Sequence, residues 1–170
     1  TTTAPYAVTK NAYPTPLVSG SNTVCSFSTT SFSTPSNSGR TYTWVVTGGV
    51  IASGQGTSSI DINWAAPGSG TVAVTDSVNA TGCSVTTTNF GVSINNSPSP
   101  VITGTNSICH TNSATYSTPF NSGSAYIWNV TGGVITAGAN TNSVTVQWNT
   151  VGAGSIAVTD SILAGGCKTT

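Results

Sequence analysis

The chain has 170 residues, of which only three are Lys or Arg, three are Asp and one is His, so its formal net charge is zero. That balance provides no basic stripe for phosphate contacts, which excludes nucleic acid as a partner, and no acidic cluster of the kind that holds calcium. No apolar run approaches the ~18 residues of a membrane span, so membrane insertion is excluded as well.

Taken in chain order, residues 1–13 (TTTAPYAVTKNAY) read as the final strand of a preceding unit, because they line up with VTTTNFGVSINNS at 85–97. A unit then begins at Pro14. Short strands are predicted near 16–19 and across 23–34, then at 41–47, 49–53, 58–64, 70–77 and 83–94. Tyr42, Trp44 and Val46 alternate with Thr41, Thr43 and Val45, and Ile60, Ile62 and Trp64 alternate with Ser59, Asp61 and Asn63. Such period-2 runs are strands with one face on a core. PSNSGR (35–40) supplies a chain reversal, and the glycines of TGG (47–49) can take positive φ as one strand ends. ATGC (80–83) and its later counterpart AGGC (164–167) read as hairpin turns.

The stretch YTWVVTGGVI (42–51) returns as YIWNVTGGVI (126–135), 84 positions later. Shifting the sequence by 84 makes about 34 of the 73 pairs between Pro14/Pro98 and Thr86/Thr170 identical, without a gap. Fixed-period self-similarity defines two units, 14–97 and 98–170, joined by short Pro-bearing segments. Seven short strands per 84 residues predict an all-β fold of two tandem Ig-like antiparallel β-sandwiches. Aromatic residues at inward parity (Tyr42, Trp44, Trp64, Tyr126, Trp128 and Trp148) are the expected core. The repeated decad builds a sandwich and needs no chemistry to explain it.

Each unit holds two cysteines, Cys25 with Cys83 and Cys109 with Cys167, 58 residues apart in both cases. Metal sites gather cysteines at short spacings, which are absent, so no metal or cofactor is expected. An even pair in a small unit reads instead as one disulfide per unit in an oxidising compartment. Catalysis is not expected. His110 is the one histidine and has Ser26 as its counterpart, so a Ser–His–Asp arrangement would need one unit to differ from the other.

The pattern Y-x-W-x-V-T-G-G-x-I, an I-x-x-W strand end, a G-x-G-x-I/V-x-V-T strand and a terminal G-C resembles the PKD-like, Ig-like repeats of Bacteroidota cell-surface proteins, including gliding adhesins. It departs from the better-known W-D-F-G-D-G turn of PKD domains, which WVVTGG and WNVTGG replace here. The resemblance implies extracellular, cell-surface spacer repeats of a long adhesin or filament, with neighbouring repeats or identical chains as partners. It also implies that DSV (76–78) and DSI (160–162) are signals for O-glycosylation at Ser77 and Ser161. The alternative is a carbohydrate-binding or accessory module of a secreted polysaccharide-degrading enzyme, with surface glycans as partners. Unit two lacks a counterpart of its last strand, while 2–10 form a strand expected to pair with nothing in 16–94. Either the segment is a window on a longer array, or identical chains donate that strand head to tail.

Overall fold

Runs rich in Val, Ile, Thr and aromatics become strands, and fourteen form among the described residues, which are 2–163 and 165–170 of a computed structural model. Thr1 of the 1–13 segment and Ala164 of the AGGC turn lie outside the described residues. The chain divides into two compact units, one running to Ile94 and the other Asn95–Thr170. The architecture is all-β, a sandwich in each unit.

In the first unit, β1 (Thr23–Cys25), β8 (Phe90–Asn95), β6 (Gly68–Val78) and β3 (Arg40–Thr47) form one sheet in that order, and β7 (Ser84–Thr86) also pairs with β6. The facing sheet is β2 (Thr29–Ser33), β5 (Ser59–Trp64) and β4 (Gly49–Ser53). Between them lie Phe32, Tyr42, Trp44, Ile60, Ile62, Trp64, Val72, Val74, Val92 and Ile94. Most of these come from the inward positions that alternation picks out. Burying side chains of this size contributes roughly 1.5–3 kcal/mol each. The polar ends of the aromatics are satisfied too. Trp44 Nε1 donates to Thr57 O at 2.8 Å, and Tyr42 Oη donates to Pro35 O at 3.1 Å. Gly48 has φ 77° and Gly132 φ 83°, as the TGG turns require.

The second unit repeats this plan with fewer strands. Among the described residues β10 (Ser124–Thr131), β13 (Ser155–Ile162) and β14 (Cys167–Thr169) make one sheet, and β11 (Val134–Ala137), β12 (Ser143–Gln147) and β9 (Ser113–Ser117) the other. Its core holds Tyr116, Tyr126, Trp128, Val144, Val146 and Val158.

Three expectations about strands need correction. The stretch 16–19 forms no strand, because it meets its neighbour only at a single bridge from Ser19 to Ser33. The stretch 83–94 is also two. Val74 N donates to Thr87 Oγ1 at 3.1 Å, so a side chain replaces the backbone partner and the ladder breaks between β7 and β8. Residues 2–10 belong to no strand, and Tyr6 and Val8 are 92% and 72% exposed. A strand needs a partner edge, and β8 already occupies the position beside β6 to which such a sequence is suited.

Trp148 departs from its counterpart for a local reason. Trp64 is 2% exposed and its Nε1 donates to Thr30 Oγ1 at 2.7 Å. Trp148 is only partly buried, and among the described residues its enclosed Nε1 has no partner, because Ala114 stands where the first unit has Thr30. Leaving a buried donor unmade costs about 1–3 kcal/mol. Thr30→Ala is therefore expected to destabilise the first unit by that amount, and Ala114→Thr to stabilise the second by about 1 kcal/mol. Urea melts of the two variants, followed by tryptophan fluorescence, test both. Equal and negligible shifts would show that solvent already serves both indoles.

Candidate functional site

The residues that could carry chemistry are scattered. His110 Nε2 lies 2.9 Å from Asn149 O on an exposed loop. Asp61 sits on β5, where the Ser31 and Ser53 hydroxyls donate to its two oxygens at 2.6 and 2.7 Å. These bonds, that from Ser31 foremost, hold its carboxyl below the usual carboxylate value. Their stabilising effect is present above that usual value and is lost as pH falls through the depressed one. Among the described residues no three His, Cys, Asp or Glu side chains converge as a metal site.

Asp76 and Asp160 are buried at 2% and 0% exposure. Arg40 Nη1 meets Asp76 Oδ2 at 2.8 Å, whereas among the described residues Asp160 Oδ2 accepts only from Asn121 Nδ2 at 3.0 Å. Ser77 and Ser161 follow these aspartates with opposite parity and are half-buried on the outer sheet face. Ser77 lies across from Thr41 on one side and Ser84 on the other, and Ser161 across from Ala125 and Lys168.

The cysteines do not make the bonds expected of them. Cys83 and Cys109 carry free thiols, while Cys25 and Cys167 are disulfide-bonded, so neither Cys25–Cys83 nor Cys109–Cys167 forms. The reason is geometric. Cys25 follows Asn22, whose carbonyl accepts from Ser93 N, and Ser93 lies opposite Ser69 near the start of β6. Cys83 caps the other end, where its carbonyl accepts from Val78 N. At 3.3 Å per residue the two ends of β6 are about 30 Å apart, far beyond the ~7 Å that a disulfide can span. In the second unit Cys167 lies opposite Ile162 at the end of β13, whereas Cys109 lies in the loop beside Trp148, near its start. The even spacing identifies matching positions, and those positions are opposite poles of a sandwich.

A groove of about 550 Å³ opens in the second unit, lined among others by Asn106, Ile108, Tyr116, Trp148, Gly152 and Ile156. Its origin can be read from strand lengths. β6 begins at Gly68, and its first three residues pair only with β8; the counterparts, Gly152–Gly154, belong to no strand. Gly152, Gly154, Ser155 and Ile156 border the groove, and among the described residues no strand pairs with them at that end.

A family model described as PKD-like domain matches the chain twice, over residues 11–92 and 96–169. The chain belongs to the PKD-like domain family. Among solved structures it is similar to the fibronectin(III)-like modules of Clostridium thermocellum CbhA, at 14% identity over 91% of this chain and 90% of that one, with a TM-score of 0.41. It is also similar to the D0-D1 domain of Intimin (10% identity, 90% and 94% covered, TM-score 0.34). A third likeness is to Bacteroides ovatus SGBP-B, solved with a mixed-linkage heptasaccharide (14% identity, 91% and 43% covered, TM-score 0.33). No curated protein matches the chain at a significant level.

Within this PKD-like pair the two units agree in the aromatic core and differ at several polar positions. Tyr42/Tyr126, Trp44/Trp128 and Val74/Val158 match in identity and burial. Arg40 faces Ser124 in the alignment, Gln55 faces Ala139, Asp61 faces Thr145 and Ser26 faces His110. Sequence reasoning overlooked one useful residue, Gln55, whose amide accepts from Trp44 N and donates to Trp44 O, both at 2.9 Å, covering the outer edge of β3. No pattern marks it, since a lone Gln in a loop carries no period.

Proposed function

We propose that this PKD-like pair is a structural spacer from an extracellular adhesin or surface filament, whose work is to hold a binding tip away from the cell. One observation carries the reading. The positions that build each core recur at 84 residues, whereas the residues most able to carry chemistry outside it, Arg40, Asp61, His110 and Lys168, have counterparts of another type, Ser124, Thr145, Ser26 and Ser84. A catalytic or ligand-binding surface present in both units would need the reverse. The reading is non-catalytic, places the chain at the cell surface, and gives it neighbouring repeats or identical chains as partners.

The test is substitution in place. The segment is fused between a characterised binding domain and a surface anchor, and adhesion is measured under shear flow. An unrelated pair of β-sandwiches of equal length is expected to support the same adhesion. Loss of adhesion with that replacement would overturn the spacer reading. A carbohydrate-binding role is the second reading, favoured by Trp148, whose partly exposed indole lines the second unit's groove. Calorimetric titration with β-glucan and xylan oligosaccharides decides it, since a sugar module would bind and lose binding on Trp148→Ala.

Ser77 and Ser161 are the proposed O-glycan attachment points, and glycans there would hydrate a chain with almost no charge. Secreted from a host that glycosylates the Asp-Ser-apolar signal, the chain is expected to exceed its polypeptide mass, and Ser77→Ala with Ser161→Ala to remove the excess. A bare polypeptide mass from such a host rejects the assignment.

A further inference from the structure

We propose that the second unit binds a small monovalent cation beside Asp160, in the place that the Arg40 guanidinium takes beside Asp76 in the first unit. The proposal goes beyond the spacer reading and does not rest on it. It concerns a single counter-ion beneath a strand, not a centre of converging metal ligands.

The charges of the unit are few enough to place one by one. Asp160 is the single acidic residue between Asn95 and Thr170, and Lys168 the single Lys or Arg. Asp160 stands opposite Tyr126 on the inner face of its sheet and is fully buried. Lys168 pairs with Ser161, whose parity is opposite, so its exposed side chain lies on the outer face. His110 lies in the loop beside Trp148, toward the other pole, with Asn149 O 2.9 Å from its ring. Among the described residues the carboxylate thus receives one neutral amide bond, from Asn121 at 3.0 Å, and its Oδ1 has no partner. Buried charges are paired or bind a metal ion, and a neutral amide supplies no counter-charge.

The first unit shows the shape of the site. Arg40 pairs with Val78 and Tyr42 with Asp76, so Arg40 and Asp76 are diagonal neighbours on one inner face. Such neighbours are about 7–8 Å apart, and the long Arg40 side chain crosses that distance to place Nη1 2.8 Å from Asp76 Oδ2. That side chain is 22% exposed, so the carboxylate is reached from solvent along it. Strand β8, which follows in this unit, adds no bond to Asp76, so this aspartate draws its partner from β3. In the second unit Ser124 stands where Arg40 does, and it pairs with Ile162 in the same register. A serine cannot cross the diagonal. Its Oγ is buried and, among the described residues, has no partner either. Two buried oxygens at the ends of one diagonal suit a cation held between them.

Asn121 closes the site. Its residue is exposed, its backbone N–H donates to Tyr126 Oη at 2.7 Å, and its amide reaches Asp160. An entering cation therefore has one surface side chain to pass. Charge and ligand count decide its class. One carboxylate balances one positive charge. Calcium takes about 6–8 oxygen ligands and magnesium a strict octahedron, which one carboxylate and one hydroxyl do not supply. An alkali ion accepts fewer oxygens in a looser arrangement. A guanidinium or ammonium group would instead donate hydrogen bonds to the same oxygens, as Arg40 does in the first unit.

Scanning calorimetry of the whole chain, with one transition per unit, tests the proposal. Tetramethylammonium chloride, whose cation is too bulky for the site, is exchanged at constant ionic strength for sodium, potassium or guanidinium at millimolar concentration. The second transition is expected to rise by roughly 5–10 °C for each tenfold of cation above its dissociation constant. The first transition, whose aspartate has Arg40, should stay in place. A rise with sodium or potassium identifies an alkali ion, and one with guanidinium alone an organic cation of the arginine type. Ser124→Arg is expected to hold the second transition high in tetramethylammonium and to abolish the response. Sodium NMR lines should broaden with the wild-type chain and not with that variant, if the ion is sodium. Tetramethylammonium leaves Asn121 as the carboxylate's one partner, so Asn121→Ala is most damaging in that buffer. A second transition indifferent to all three cations overturns the proposal. So does an equal shift of both transitions, which would be a general salt effect, or a response that survives Ser124→Arg.

Discussion

Asn121→Ala is expected to unfold the second unit under conditions in which the first stays folded. Asp160 is fully enclosed, and among the described residues its Oδ1 has no partner and its Oδ2 accepts a single amide bond from Asn121. A hydrogen bond to a charged group contributes about 1.5–3 kcal/mol, and leaving a buried carboxylate with nothing costs more, so a loss of about 3 kcal/mol is expected. Small domains have only about 5–15 kcal/mol in total. The first unit supplies the remedy. Arg40, 22% exposed, holds Asp76 from β3, and its counterpart is Ser124, whose Oγ is itself buried without a partner. Ser124→Arg should restore an Asn121→Ala protein by bringing in that ion pair. The reverse change, Arg40→Ser, should cost less than Asn121→Ala, because Asn37 occupies the position of Asn121 and can turn its amide to Asp76. Differential scanning calorimetry, with one transition per unit, reads all three. If Asn121→Ala leaves the second transition in place, Asp160 has another partner and the account of this site is wrong.

The cores were legible because burial in a sandwich follows residue parity, and parity is written directly in the chain. Tyr42, Trp44 and Val46 had only to alternate with polar neighbours for their face to be known, and the period doubled every such reading. What could not be read was whatever depends on which strand lies beside which. The 58-residue cysteine spacing says nothing about poles, and only the ladder of β6, with β8 at one end and β7 at the other, shows that Cys25 and Cys83 lie far apart. The partial exposure of Trp148 was hidden for a similar reason. Its parity is inward, but its counterpart Trp64 packs edge-on against Phe32, which in turn meets Phe90 of β8, and gives its N–H to the Thr30 hydroxyl, and these partners lie far away in sequence.

The functional reading has the same structure. Features that repeat are those of construction, and those that do not repeat mark where the units have been free to diverge. The groove is the exception, since it is a difference between the units that arises from strand content rather than from surface chemistry.

Gly54→Ala and Gly138→Ala should be among the most damaging single substitutions in the chain, despite adding only one methyl group each. Gly54 closes the turn between β4 and β5 and Gly138 that between β11 and β12, at φ 83° and 78°. Gly54 O accepts from Thr57 N, and Gly138 O from Thr141 N, each at 3.0 Å. A Cβ at Gly54 would lie 2.1 Å from Ser59 O, and one at Gly138 2.0 Å from Ser143 O. Both obstacles are backbone carbonyls at the start of a strand, which no rotamer change can move. The left-handed backbone alone costs a non-glycine residue about 1–2 kcal/mol. Opening the turn adds a lost hydrogen bond of about 1 kcal/mol and displaces the neighbouring strand, for a total of about 4 kcal/mol. Gly39 and Gly123 provide the control, for they have φ 70° and 80° but no atom within 4 Å of the added carbon. Their alanine variants should lose only the backbone share, about 1–2 kcal/mol. Urea midpoints for the four variants separate steric from conformational cost. Equal losses at Gly54 and Gly39 would mean that the turn yields easily and that its close approach to Ser59 constrains nothing.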